Sequence, residues 1–140
     1  MNKLPLLGLA LTASVFSSGL AAQSVILLKC EQTAANNPAL QWTSSLEVNV
    51  SEKKLTYDGQ ALQLGRKTER TDVKNGENLR WEYSITEWSD SGIAWEFRFH
   101  MNGIPKAEPT RYRLDRISGK LSGPHSSGPC RRIEASEKLF

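Results

Sequence analysis

Few residues in this chain have side chains suited to covalent or acid–base chemistry. Its 140 residues hold two cysteines and two histidines. One of each falls in the stretch GPHSSGPC, Gly123 to Cys130. A histidine beside serines raises nucleophilic hydrolysis, in which an imidazole takes the proton of a hydroxyl. Ser126 and Ser127 follow His125, but adjacency in sequence does not make a nucleophile–base pair, and the chain has no G-x-S-x-G elbow. His100 lies in IAWEFRFHM, where alternation puts it on the polar face. As a general base it needs an oriented carboxylate such as Glu82 or Glu96. A small hydrolase using His100 or His125 is therefore an alternative reading. The simpler one makes His100 a surface side chain and GPHSSGPC a turn-rich loop that delivers Cys130 to a disulfide. No catalytic residue is assigned. Paired carboxylates for glycoside hydrolysis depend on geometry that the sequence does not hold.

Other chemistries find no pattern. There is no C-x-x-C, and the two histidines are far apart without ligand spacing, so no metal site is expected. No glycine motif cradles a phosphate, and no cofactor is expected. An even pair of cysteines in an exported chain reads as one disulfide, Cys30–Cys130. It closes a loop of about 100 residues, worth up to roughly 4–5 kcal/mol on the chain-entropy model.

Export is read from the N-terminus. MNKLPLLGLALTASVFSSGLAAQS has a basic start at Lys3, an apolar run from Leu4 to Phe16 and small residues before Gln23. That is the layout of a secretory signal peptide over residues 1–22, with cleavage after Ala21 or Ala22. The run is too short and too broken for a transmembrane helix. Residues 23–140 then form a single β domain in the periplasm or outside the cell, large enough for a core.

Charge is uneven. Gln23 to Phe97 carries 8 basic and 11 acidic residues, whereas Arg98 to Phe140 carries 9 basic and 4 acidic. Arg98, Arg111, Arg113 and Arg116 are candidates for contact with an anionic envelope component or a protein partner. The bland reading is a solvated sheet face, since no basic run exceeds two residues. No nucleic-acid partner is expected.

The elements that must position these residues follow a period of two. In LRWEYSIT, Leu79, Trp81, Tyr83 and Ile85 alternate with polar residues. In IAWEFRFHM, Ile93, Trp95, Phe97, Phe99 and Met101 do the same. Each is a half-buried strand, and EWSDSG suits a hairpin between them. SVILLKCEQ and SLEVNV read as strands. KLTYDGQALQL reads as two strands around Asp58-Gly59, and RYRLDRISGKLSG as two around Ser118-Gly119. GRKTERTDVKNGEN (65–78) reads as a long loop or a weak edge hairpin, ANNPALQW as room for one helical turn, and RRIEASEKLF as helix-friendly. The expectation is an all-β fold, a small antiparallel β-barrel or sandwich of about 7–8 strands with one disulfide. Trp81 and Trp95 are expected in the core. Trp88, in EWSDSG, is expected on a loop, either as a recognition anchor or as a cap on the open end of a small barrel.

The stretch YRLDRISGKL, Tyr112 to Leu121, followed by a cysteine near the C-terminus, resembles a tail of small exported proteins of Gram-negative bacteria, most without an assigned function. A weaker resemblance is to periplasmic lysozyme inhibitors, through a first strand ending near a cysteine, VILLKCEQ. That likeness implies a small disulfide-bonded barrel and a protein partner. The slightly basic charge departs from the acidic balance that steers an inhibitor onto a basic enzyme, and no inhibitory residues carry over. The function expected from the sequence is a non-enzymatic binding module.

Overall fold

The computed structural model describes residues 25–137. The expected leader, 1–22, lies outside the described residues. Eleven strands form one antiparallel sheet: β1 (Val25–Ala34), β2 (Asn37–Asn49), β3 (Lys54–Tyr57), β4 (Gln60–Gln63), β5 (Thr68–Lys74), β6 (Glu77–Trp88), β7 (Gly92–Met101), β8 (Ile104–Pro105), β9 (Thr110–Asp115), β10 (Lys120–Ser122) and β11 (Ser126–Arg132). The all-β expectation holds, with more strands than the seven or eight expected. Hydrogen-bonded neighbours run β4-β3-β2-β1-β11-β10-β9-β7-β6-β5, with β8 paired to β7 off this path. The ends of the path return to one another: β4 packs against β5 and β6. The sheet is therefore a nearly closed barrel with one seam, between β4 and β5.

Turn chemistry sets the hairpins. Asp58-Gly59 (φ 44° and 86°) and Asn75-Gly76 (φ 54° and 76°) both have two positive φ angles, as two-residue turns matched to strand twist require. The second pair turns 65–78 into an edge hairpin, with Thr68 opposite Tyr83 and Lys74 opposite Glu77. Ala35 to Trp42 holds no helical turn. It is a strand hairpin in which Pro38, Ala39 and Leu40 bulge between the pairs Ala34–Asn37 and Thr33–Gln41. The tail makes one 3₁₀ turn at Ala135–Glu137.

The core follows the alternation. Leu46, Val48, Leu55, Leu62, Ile85, Ile93, Trp95, Leu114 and Leu121 are buried together with Cys30. Cys30 and Cys130 face each other across the β1–β11 ladder and are disulfide-bonded. GPHSSGPC is not wholly a loop, because β11 begins at Ser126. Gly128 faces β1 so closely that a Cβ there would overlap the Glu31 carbonyl. Pro129 lacks an N–H and falls where the β1–β11 ladder is interrupted, between the pairs Cys30–Cys130 and Thr33–Ser127. The loop residues that remain are Gly123, Pro124 and His125.

Candidate functional site

The four arginines come together as a stripe on the outer face, and each has an internal partner. The β7–β9 register sets Glu96 opposite Arg111 and Ala94 opposite Arg113. Arg111 Nε donates to Glu96 at 3.1 Å, and Arg98 Nε lies 3.8 Å from the same carboxylate. Arg113 grips Glu87 with two bonds of 3.0 and 3.1 Å. Its guanidinium lies over Gly92, where a Cβ would come within 2.9 Å of Nε. Those bonds, with one from Ser89, hold the Glu87 carboxyl below its usual range and push the Arg113 guanidinium up. Arg116 donates to the Ser89 carbonyl at 2.8 Å. Three of the four arginines are therefore ion-paired and the fourth is bonded to a carbonyl, so the stripe is not a free cationic patch.

The other candidates are dispersed. A bulge between Ile85 and Glu87 shifts the phase of β6. Trp88 therefore ends β6 opposite Ile93, half-buried against the core, and is not on a loop. His100 is 7% exposed, not a surface side chain. β8 folds back so that Pro105 pairs with His100, and Arg80 Nη2 lies 3.2 Å from its Nδ1. His125 is exposed, and its carbonyl accepts the Ala35 N–H. Among the described residues no serine hydroxyl or carboxylate reaches hydrogen-bonding distance of either imidazole. Nor do three or more His, Cys, Asp or Glu side chains converge as metal ligands among them. No helix of the described residues is long and apolar enough to cross a membrane.

The seam brings together side chains that are scattered in sequence. A pocket of about 340 Å³ opens there, walled by Tyr57 of β3, Tyr83 of β6, and Trp95 and Phe97 of β7, with Asp58 and Arg70 on its polar side. Its rings belong to a stack: Tyr57–Trp95 centroids are 5.3 Å apart, Trp95–Tyr112 5.8 Å and Tyr83–Phe97 5.7 Å. Such offset and tilted pairs are worth about 0.5–1.5 kcal/mol each beyond area burial. Behind the stack runs a buried polar thread. Ser126 Oγ donates to Gln32 Oε1, and Gln32 Nε2 donates to Ser44 Oγ, both at 2.9 Å. Burial pushes the Tyr57 hydroxyl above its ordinary 10.0. Burial, reinforced by neighbouring Tyr57, pushes Tyr112 up to about 12. Both hydroxyls are therefore neutral donors at physiological pH. A wider groove of about 420 Å³ lies on the outer face between β1–β3 and the tail at Ile133, and carries no aromatic ring.

With β1 taken as running upward, antiparallel pairing fixes which residues share an end. Leu40 (54% exposed), Trp42 (40%), Val73 (67%) and Ile104 (60%) all lie at the upper end. Half-buried Leu79, Trp81, Phe99 and Met101 line the ribbon that β5, β6 and β7 form there. Sequence reasoning missed this rim and the seam pocket. Val73, a lone β-branched apolar residue in a charged segment, was the available signal for β5.

Comparison with known proteins gives no match: no family model, curated protein or solved structure aligns significantly with the chain.

Proposed function

We propose that the protein is a non-enzymatic binding module of the periplasm or extracellular space that docks a protein partner at the upper end of its barrel. The observation that supports this reading is that Leu40, Trp42, Val73 and Ile104 are exposed beside the half-buried aromatic ribbon of the upper end, whereas Val25, Leu64 and Ile117 at the lower end have no such ribbon beside them. Apolar and aromatic side chains there gain by being desolvated against another protein. The arginine stripe favours a protein over a polyanion, because Glu96, Glu87 and Asp115 already neutralise most of it. A mixed-charge face steers and orients a protein partner more than it holds one. The disulfide and the leader-like N-terminus support the compartment.

The test is capture from periplasmic extract by the disulfide-intact 23–140 protein at low and high salt, set beside two variants. One carries Trp42→Ser with Ile104→Ser, the other Arg111→Gln with Arg113→Gln. The expected result is a stoichiometric protein that survives high salt, is lost with the rim variant and is kept by the arginine variant. Capture that vanishes with salt and needs the arginines would replace the reading with an anionic envelope component. No capture by the wild-type protein would overturn it.

A further inference from the structure

We infer that the seam pocket binds a small hydroxylated ring compound carrying one carboxylate. The pocket lies in the barrel wall and shares no residue with the rim, so it does not depend on the protein-docking reading. Its volume of about 340 Å³ is at the small end of ligand sites and fits a single ring with its substituents. Tyr57, Tyr83, Trp95 and Phe97 present aromatic surface to it, which suits the flat face of a ring.

Two polar features fix which ring. Trp95 is 1% exposed, lines the pocket, and its indole Nε1–H has no acceptor among the described residues. A buried donor without a partner costs roughly 1–3 kcal/mol; Nε1 itself is covered, so a ligand acceptor restores the missing bond only by shifting the aromatic wall that covers it. Arg70 is the second. Arg80, Arg98, Arg111 and Arg113 each hold a carboxylate. Arg70 has no ion pair among the described residues. Its guanidinium instead lies 4.3 Å above the Trp81 ring, a placement that leaves its N–H edge for a planar anion. Asp58 sets the orientation. Its Oδ1 accepts the Ser45 N–H at 2.7 Å, and its charge repels an anion. The carboxylate of the ligand therefore goes to Arg70 and its hydroxyls go toward Asp58. Sugar acids and phenolic acids share this chemistry.

The experiment uses the oxidised 23–140 protein, with the Trp95 indole N–H resonance followed by NMR. That resonance is assigned by its loss in Trp95→Phe. The probes are glucuronate and 4-hydroxybenzoate, each against its neutral counterpart, glucose and 4-hydroxybenzamide. The expected result is a shift of the Trp95 resonance with at least one acid, bound about tenfold more tightly than its neutral counterpart, the size of one charge-assisted bond. Arg70→Gln, an exposed edge-strand change that leaves the fold intact, removes that tenfold preference and leaves the neutral compound unchanged. Response to glucuronate alone identifies a sugar acid, response to the benzoate alone a phenolic acid, and response to both the shared chemistry. The inference is overturned if neither acid moves the resonance at millimolar concentration. It is equally overturned if acid and neutral compound bind alike and Arg70→Gln changes neither.

Discussion

Replacing Gly128 with alanine tests the barrel wall at its tightest point. Gly128 is buried in β11, and its φ is not positive. On backbone grounds alone alanine should stabilise it by about 0.4–1 kcal/mol, through a less flexible unfolded chain. Packing predicts the opposite sign. The new methyl would overlap the Glu31 carbonyl oxygen and sit 2.7 Å from its carbon and 3.1 Å from Gln32 Cα. Carbon atoms rest comfortably at about 3.5–4.0 Å, so β1 and β11 must part by roughly 1 Å. Backbone cannot swing aside as a side chain does. Overpacking costs about 1–3 kcal/mol, and stretching the adjacent Gln32–Ser126 bond adds about 1 kcal/mol. A loss of about 3 kcal/mol is a large part of the roughly 5–15 kcal/mol that holds a domain. In urea unfolding followed by tryptophan fluorescence, the midpoint should fall by about 1–2 M with an unchanged slope. An unchanged or raised midpoint would refute the argument.

Three further outcomes are expected. Changing both Cys30 and Cys130 to serine, 100 residues apart in sequence, should cost up to about 4–5 kcal/mol, and calorimetry should show a melting temperature lower by up to about 16–20 °C, at roughly 4 °C per kcal/mol. Tyr57 and Tyr112 hold their protons more tightly folded than unfolded, so their stabilising effect is full below about pH 10 and is lost as pH rises toward about 12; phenolate absorbance should appear later in the native than in the urea-unfolded protein, and Tyr112→Phe should flatten the alkaline loss of stability. The backbone N–H groups of Ser118 and Ile117 hold the Asp115 carboxyl below its ordinary 3.8, so its contribution is present above about pH 4 and lost as pH falls through the folded value; a carboxyl NMR titration should place it low, and Asp115→Ala should loosen the 116–119 turn as seen by faster amide exchange.

The strands legible in the sequence were those with one wet and one dry face, β6 and β7 above all. β5 carried no such signal because six of its seven residues are exposed, so its only marks were Val73 and the Asn75-Gly76 turn. β11 was hidden by Gly128 and Pro129, which read as loop formers. Here the glycine is required by the close approach of β1, and the proline sits in the gap of the β1–β11 ladder between Cys130 and Ser127. His100 was misplaced because alternation sees one strand at a time, and β8 covers it from outside that strand. Neither candidate surface could be seen in chain order. Arg111 and Arg113 reach Glu96 and Glu87 only because β9 is paired beside β7 and β6, and the seam pocket draws Tyr57 together with Arg70, Tyr83 and Trp95 only when the sheet curls.

The barrel resembles a ring bracelet with a rivet and a gap. The Cys30–Cys130 bond pins two neighbouring strands on the side of the ring away from the seam, and the junction of β4 with β5 is the one place where no ladder of backbone bonds crosses. Small changes of girth therefore concentrate at the gap and pivot about the riveted ladder. Hydrogen exchange should be slowest along β1 and β11 and fastest along β4 and β5. A molecule filling the gap would tighten the circle where it is loosest, so its clearest trace would be slower exchange at the two free edges and almost none beside the disulfide.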